Sequence, residues 1–221
     1  MRLASRLAPV QLILASASPA RLKTLRSAGI EPRVVVSHVD EPAVTAEAQQ
    51  QFGRLEPVDV PLLLARAKCE AVAAQIGDAD ALVLGCDSVL EIDGAVHGKP
   101  TDPQDAIERW ARMRGRSGTL HTGHWLIDAR ADGTGATFGV VGSTLVQFAD
   151  IDDDEIRDYV STGEPLYVAG AFTVDGLGGP YITGIQGDYH NVVGLSLPVL
   201  REMLAEVGVP WRTIRAASGL G

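Results

Sequence analysis

Two serines and an arginine stand where an apolar segment gives way to a helix. Ser16 and Ser18 follow a predicted strand, Val10–Ala15, and Pro19 suits the first helical position because its nitrogen needs no partner there. The free amides of that first turn, the two hydroxyls and the guanidinium of Arg21 would together suit a phosphate or a carboxylate. The same residues also suit a serine cap on a surface helix, which is the favoured interpretation when they are taken alone.

A carboxylate and a lysine lie near the end of another apolar segment. Asp87 comes just after Ala81–Gly85, where the predicted strand continues or ends, and such positions commonly face a ligand crevice in α/β sheets. Lys99 follows a hairpin predicted at Asp93-Gly94, which returns the chain to the same end of the sheet. Asp40-Glu41 follows a further strand, and carboxylates from successive strand ends suit an oxygen-ligated Mg²⁺ ion. These residue types together indicate a Mg²⁺-dependent enzyme that acts on a phosphorylated small molecule.

Other chemical sites find less support in the sequence. His121 and His124 are three residues apart on a predicted strand, so they point to opposite faces and make a poor zinc pair. The acidic run 152–155 suits the first turn of a helix better than a metal site, because acidic side chains stabilise that end. Cys69 and Cys86 have no metal-type spacing and are expected to be free and buried. The sequence shows neither a phosphate-binding glycine loop nor a nucleophile elbow.

Composition narrows the class of protein. The 221 residues are 46% hydrophobic and 21% charged, as in ordinary folded domains. The formal charge of −9 argues against a nucleic-acid or membrane-surface binder, which needs clustered basic residues. No long apolar run is present, and we expect a cytoplasmic protein. The expected organisation is an N-terminal extension over residues 1–9, one domain over 10–208 and a C-terminal tail over 209–221.

Hydrophobic periodicity and turn residues predict the elements that carry these groups. Residues 38–56 are polar and acidic, which predicts a loop or ragged helix, and Lys68 lies off the apolar stripe of the next helix. The fold class is α/β with a mixed, partly antiparallel sheet flanked by helices. Helices are predicted over 19–28, 61–76, 103–113 and 198–207, strands over 10–15, 34–36 and 81–85, an antiparallel strand pair over 120–128 and 137–148, and a loose tail from Trp211.

Seven short blocks follow one another along the chain, and together they resemble the Maf family of nucleotide pyrophosphatases over about residues 12–204. The blocks are Leu14–Arg21, Val39–Glu41, Leu64–Lys68, Gly85–Ser88, Gly98–Pro100, Ala169–Phe172 and Gly187–Leu195. The resemblance implies two lobes around a central cleft, and often a homodimer. It also implies hydrolysis of nucleoside triphosphates to monophosphate and pyrophosphate with a divalent cation, Mg²⁺ or Mn²⁺.

The resemblance also implies roles for individual residues. Asp87 takes the position of the general base, and Glu41 that of the acidic residue beside the metal. Asp87 is a candidate metal ligand as well, and its two roles stay open because a carboxylate that coordinates a cation is a weaker base. The residues that take the positions of the family's anion loop and basic phosphate ligands are Ser16, Ser18, Arg21, Lys68 and Lys99.

Three departures from the family pattern bear on the choice of substrate. Ala20 stands where many members have a basic residue, and Ser88 where members acting on dTTP and UTP have threonine. Asp175 replaces the glutamine of those members, and a carboxylate accepts a hydrogen bond from a base but donates none. Ser88 and Asp175 are therefore candidate substrate-binding residues. The preferred base stays open between pyrimidines, purines and methylated GTP.

An alternative function is a nucleotide-binding regulator of cell division or septum formation, the role that gave the family its name. Asp87, Lys99 and Glu41 are all present, which favours chemistry over binding alone. An Asp87→Asn variant would separate the two functions, because only an enzyme would lose its activity while it kept its ligand.

Overall fold

A seven-stranded mixed sheet supports the molecule, whose computed structural model describes residues 10–77 and 79–216. The spatial order is β2–β1–β3–β5–β6–β7, with β4 paired to β3. Strand β1 runs parallel to β2 and β3, and the remaining pairs are antiparallel, as the sequence predicts. The strands are β1 (Leu12–Ala15), β2 (Arg33–Val34), β3 (Leu82–Ile92), β4 (Ala95–His97), β5 (Ser117–Asp128), β6 (Thr137–Phe148) and β7 (Ile182–Gln186).

Helices flank this sheet, and polar side chains begin most of them. Ser18, Asp40, Asp102, Asp152 and Ser196 each accept a hydrogen bond from a first-turn amide of the helix that follows. The helices are α1 (Pro19–Ser27), α2 (Glu41–Phe52), α3 (Asp59–Ile76), α4 (Pro103–Met113), α5 (Asp153–Ser161), α6 (Tyr189–Val193), α7 (Leu197–Glu206) and α8 (Trp211–Ala216).

Two acidic segments are explained by these caps. The polar stretch from residue 38 contains a regular helix, α2, because Asp40 Oδ1 accepts from the Ala43 amide at 3.0 Å and starts it. The acidic run beginning at Asp152 starts α5, where Asp152 Oδ1 accepts from the amides of Asp154 and Glu155. The helical interpretation of the second run is confirmed, and of the loop and the ragged helix predicted for the first, the structure has a regular helix.

Strand β3 is longer than the sequence predicts, and this changes the setting of Asp87. The predicted strand ends at Gly85, whereas β3 continues to Ile92 because β5 pairs with it residue by residue. One apolar cluster packs against the first half of β3, at Leu82 and Leu84. A second cluster, around Trp110, packs against its far end. Asp87 therefore lies within the strand, between two apolar clusters, so of the two alternatives the strand continues through it.

Glycines allow α3 to lie directly on the sheet. A Cβ atom at Gly85 would stand 2.2 Å from the Ala65 carbonyl oxygen, and one at Gly123 would stand 2.3 Å from that of Pro61. No side chain fits in either gap, since real Cβ atoms do not approach backbone so closely. The backbone of α3 consequently rests on β3 and β5, which brings Lys68 beside Asp87.

The C-terminal segment departs from the expected loose tail. Residues from Trp211 form α8, and the side chains of Thr213 and Ile214 are buried. Ile214 packs in the same apolar cluster as β1, so the chain stays attached to the core through at least residue 216. The expected extension 1–9 and the end of the expected tail, 217–221, lie outside the described residues.

Two further expectations can be compared with the structure. Cys69 and Cys86 are free and buried, as predicted, and they belong to different apolar clusters. Within residues 10–77 and 79–216, no helix combines the length and the apolar character needed to cross a bilayer.

Candidate active site

An ammonium group held between two carboxylates forms the centre of the site. Lys68 Nζ of α3 lies 2.5 Å from Asp87 Oδ1 of β3 and 2.7 Å from Glu41 Oε1, at the first position of α2. Asp87 is 8% exposed and Lys68 is 9% exposed. The other oxygen of Asp87, Oδ2, accepts no hydrogen bond from the described residues. Asp87 is therefore anchored through one oxygen and keeps the second for a ligand or a water molecule.

The surroundings shift the pKa values of the two carboxyl groups in opposite directions. Burial raises the pKa of Asp87 above its ordinary value, and the charges of Lys68 and Arg21 only partly offset that effect. Burial also pushes the pKa of Glu41 upward, but the hydrogen bond from Lys68 and the charges of Lys68, Lys99 and Arg21 hold it below normal. Glu41 thus stays ionised to lower pH than an ordinary glutamate, while Asp87 holds a proton more tightly than an ordinary aspartate.

Arg21 is fixed by three separate parts of the chain. Its Nε donates to the Gly194 carbonyl oxygen at 2.7 Å, Nη1 to Ser16 Oγ at 3.1 Å and Nη2 to Ser88 Oγ at 3.1 Å. The residue is 9% exposed. A guanidinium has five N–H donors, so three are used for positioning and two remain for an anion. The planar group is therefore presented in one orientation, as bidentate phosphate binding requires.

Ser16 and Ser18 of the first block make different hydrogen bonds. Ser18 Oγ accepts from the Arg21 amide at 3.4 Å as the cap of α1, which is the surface-cap interpretation. Ser16 Oγ accepts from the Ser18 amide and from Arg21 Nη1, so it supports the guanidinium. Both hydroxyls have partners within the chain and hold residues 16–21 in shape.

Lys99 completes the charged groups on this side of the sheet. It follows β4, its side chain is exposed, and its charge helps to lower the pKa of Glu41. Among the described residues nothing hydrogen-bonds its ammonium, unlike that of Lys68. Three cations, at Arg21, Lys68 and Lys99, face two carboxylates, which leaves one net positive charge. That balance favours an anionic ligand over a cationic one.

Thr122 and Gly194 belong to the site although the sequence analysis assigns them no role. Thr122 lies directly opposite Ser88 in the β3–β5 register, and its Oγ1 is 2.9 Å from Ser88 Oγ. Gly194 supplies the carbonyl oxygen that orients Arg21. Gly194 lies in Gly187–Leu195, the last of the blocks shared with the Maf family, so the sequence did point to this segment. Thr122 has no such signal, because its role follows from strand register alone.

Asp175 lies apart from the central cluster. Its Oδ2 is 3.2 Å from Nζ of Lys23, which lies two residues after Arg21 on α1. Together with Thr24, Tyr189 and His190, these two residues line a cavity of about 210 Å³. The structure shows no direct contact between Asp175 and the Asp87–Lys68–Glu41 group.

The two candidate zinc histidines are engaged separately. His121 contacts Glu91 and Ser143, each at 2.8 Å. His124 Nε2 accepts from the Ser196 amide at 2.9 Å, which places the proton of the neutral ring on Nδ1. Burial, followed by the charge of Arg21, lowers the pKa of His124 to about 4. The two side chains do not form a metal site together, as their spacing predicts.

The donor set suits a hard divalent cation only in part. Glu41 and Asp87 offer carboxylate oxygens on either side of Lys68, and Mg²⁺ is commonly held by one or two carboxylates with the rest of its shell from water and substrate phosphates. Within the described part of the chain, no cluster of three or more histidine, cysteine or acidic side chains could hold a metal by itself. These residues therefore fit a cation shared with a phosphorylated ligand.

Comparisons with known proteins agree with this geometry. The family model described as Maf-like protein matches residues 11–207. A protein of Salinispora tropica named nucleoside triphosphate pyrophosphatase is 55% identical over 91% of this chain and 86% of its own length. Proteins with the same name from Leifsonia xyli and Streptomyces coelicolor are 50% and 52% identical, over 96% and 90% of this chain and 99% and 91% of their own lengths. Because the family model spans residues 11–207 and these relatives are about half identical over nearly the whole chain, the chain belongs to the Maf family.

Proposed function

We propose that this protein is a hydrolase that converts nucleoside triphosphates to nucleoside monophosphates and pyrophosphate. The observation that carries the proposal is a buried carboxylate, Asp87, paired with Lys68 beside an arginine whose orientation is fixed. The relatives at about 50% identity carry the name of this activity. The net positive charge of the cluster matches a polyanionic substrate.

Each charged group has a part in the proposed reaction. Asp87 orients water for attack on the α-phosphorus and accepts its proton, which its raised pKa and free Oδ2 favour. Arg21 binds phosphate oxygens through its two remaining donors, and Lys68 and Lys99 neutralise further charge as it moves to the leaving pyrophosphate. Water attack breaks the bond between the α-phosphorus and the bridging oxygen, and pyrophosphate leaves with that oxygen.

We assign a divalent cation, Mg²⁺ or Mn²⁺, to Glu41 with Asp87. When bound, such an ion would neutralise phosphate charge and polarise the phosphorus–oxygen bonds. Glu41 supports this assignment, because its lowered pKa keeps it ionised at neutral pH. Lys68 bridges the two carboxylates, so it holds them at one place for a shared ligand.

The remaining substrate contacts are proposed for less central residues. Ser16 and Ser18 shape the anion loop, and Ser88 contacts Arg21. Asp175 borders the adjoining cavity and would accept a hydrogen bond from a base N–H. The resemblance further supports a homodimeric enzyme that removes unwanted nucleotides, and the lack of a long apolar run in the sequence supports a cytoplasmic location.

The test measures pyrophosphate and orthophosphate release from ordinary and modified nucleoside triphosphates, with Mg²⁺ or Mn²⁺. Wild type should release pyrophosphate, and Asp87→Asn should lose about 10²–10⁴-fold in kcat while it still binds nucleotide. Asp93→Asn is the matched control, because Asp93 is an exposed carboxylate in the turn after the same strand. Orthophosphate as the product, or full activity in Asp87→Asn, would contradict the proposal.

A further inference from the structure

A chain of hydrogen bonds leads from Arg21 into the interior. Arg21 Nη2 contacts Ser88 Oγ at 3.1 Å, Ser88 Oγ contacts Thr122 Oγ1 at 2.9 Å, and Thr122 Oγ1 contacts the Asn191 carbonyl oxygen at 2.9 Å. Thr122 is fully buried at 0% exposure, as is Asn191. The chain of bonds therefore joins α1, β3, β5 and α6, through the half-buried Ser88 and then through the buried Thr122 and the backbone carbonyl of Asn191.

Valence fixes the direction of every bond in this chain. The Asn191 carbonyl oxygen only accepts, so the single hydroxyl proton of Thr122 goes to it. Thr122 must then accept from Ser88, which uses the only proton that Ser88 has. Ser88 Oγ consequently faces Arg21 with its lone pairs, and a guanidinium is a donor only. Each hydroxyl proton points away from Arg21, toward the interior.

We propose that Thr122 is a positioning residue, which takes the Ser88 proton and so keeps the Ser88 lone pairs directed at Arg21, fixing the guanidinium for triphosphate binding. This inference rests on the proposed function, in which Arg21 binds phosphate. Without the Thr122 hydroxyl, Ser88 is free to turn its proton in other directions, and Nη2 loses an acceptor of fixed orientation. The role belongs to substrate binding, since Thr122 itself is too deeply buried to touch the nucleotide.

Thr144 provides a matched comparison on the neighbouring strand. Its Oγ1 is also buried, donates to the Asp188 carbonyl oxygen at 3.1 Å and accepts from Asn191 Nδ2 at 3.1 Å. It therefore ties a sheet strand to the same α6 segment, but it makes no contact with Ser88 or Arg21. A purely structural role for Thr122 predicts the same effect from Thr122→Val and from Thr144→Val.

The experiment compares Thr122→Val, Thr122→Ser and Thr144→Val with wild type. Thr122→Val should raise KM for the nucleotide about tenfold with kcat within about threefold of wild type, as expected for a lost hydrogen bond that orients a charged group. Thr122→Ser restores the hydroxyl and should restore KM. Thr144→Val should leave KM unchanged, although both valine variants lower the unfolding temperature. Equal KM values in the two valine variants would overturn the proposal.

Binding of inorganic tripolyphosphate, measured by calorimetry with Mg²⁺, separates this inference from the proposed function. The Kd should rise about tenfold in Thr122→Val and stay at the wild-type value in Thr122→Ser and Thr144→Val. If wild type binds tripolyphosphate but hydrolyses no nucleotide, the proposed function fails while the Thr122 comparison still holds. If nucleotides are hydrolysed and tripolyphosphate binds equally to all four proteins, the inference about Thr122 fails alone.

A spectroscopic measurement reports on Arg21 directly. When both terminal nitrogens are hydrogen-bonded, rotation of the guanidinium is slow and its Nη groups give separate ¹⁵N signals. We expect separate signals for Arg21 in wild type, Thr122→Ser and Thr144→Val, with Arg21→Lys used to assign them, and averaged signals in Thr122→Val. Separate signals in Thr122→Val would show that the guanidinium is held without Thr122.

Discussion

At the scale of single residues, the site depends on side chains whose protonation is set by their surroundings. Asp87 is buried beside a cation, Glu41 is held ionised by three cations, and His124 is kept neutral by burial. A buried charge stays ionised only where a partner compensates for lost hydration. Removing one partner therefore changes the pH at which the others work, and this can be measured.

Replacing Lys68 should change the pH profile of activity. Lys68→Met removes the cation that lowers the pKa of Asp87, so that pKa rises further and the base is ionised only at higher pH. Activity at pH 6 relative to pH 8 should be lower in the variant than in wild type. Arg66→Met is the control, because Arg66 pairs with Glu70 on the exposed side of the same helix. If activity falls off on the acid side at the same pH in both variants, the prediction is contradicted.

His124 should make the folded state sensitive to acid. Its pKa is lowered from an ordinary 6.5 to about 4 by burial and then by Arg21, so the unfolded chain binds the proton more tightly. Above pH 6.5 the neutral ring makes its full contribution to the free energy of unfolding. That contribution is lost as the pH drops from 6.5 toward 4. We expect the free energy of unfolding to be about 2 kcal/mol lower at pH 5 than at pH 7 from this group.

Urea denaturation of wild type and His124→Gln at both pH values tests this. Glutamine keeps an acceptor for the Ser196 amide but does not titrate, so its stability should change less between pH 7 and pH 5. Other titrating groups are common to both proteins and cancel in the comparison. Equal pH dependence in the two proteins would show that His124 does not carry the effect.

At the scale of elements, the close contact of α3 with the sheet decides where Lys68 lies. Gly85 and Gly123 leave space for the helix backbone, and the helix brings Lys68 to Asp87 across a gap of nineteen positions in the sequence. The position of the ammonium is thus fixed by a backbone contact, and the flexible lysine stem only spans the last distance.

A methyl group at Gly85 should disturb both stability and activity. In Gly85→Ala the added Cβ would stand 2.2 Å from the Ala65 oxygen, so α3 must shift. We expect a loss of about 1–3 kcal/mol in the free energy of unfolding and a lower kcat as Lys68 moves. Gly98→Ala is the stability control, because its Cβ meets open space. Denaturation curves that coincide for the two variants would contradict this packing.

At the scale of the whole molecule, the two ends of the described chain meet in one apolar cluster. Ile214 of α8 packs with Leu12 and Leu14 of β1, beside Leu200 and Leu204 of α7. The C-terminal helix is therefore part of the folded unit that carries the anion loop, since β1 leads directly into Ser16. Apolar burial of this kind supplies most of the stability of a domain.

Truncating Ile214 measures the contribution of α8. Ile214→Ala should lower the free energy of unfolding by about 2–4 kcal/mol, because the side chain is almost fully buried. Arg212→Ala, on the exposed side of the same short helix, should change it by less than about 0.5 kcal/mol. Chemical denaturation gives both values. An unchanged stability in Ile214→Ala would mean that the helix is not docked in solution.

Local signals in the sequence predicted a large part of this structure. The caps at Ser18, Asp102 and Asp152 and the turn at Asp93-Gly94 all stand where the sequence predicts them. Each depends on groups within a few residues of one another, whose geometry is set by short-range sterics and hydrogen bonds. The mixed sheet was predicted from the strand pattern, and the family from the ordered blocks. Helix α2 shows the limit, because its weak apolar pattern left a loop and a ragged helix as equal alternatives although Asp40 caps a regular helix.

The sequence by itself determined which chemical groups are present and which of them begin helices or end strands. Only the tertiary structure decided how they meet: Lys68 lies between Glu41 and Asp87, and Arg21 reaches the Gly194 carbonyl across 173 positions. The proton order that Thr122 imposes exists only because β5 pairs with β3 in one register. Such contacts depend on strand register and on backbone packing at glycines, which join residues distant in sequence and leave no periodic pattern along it.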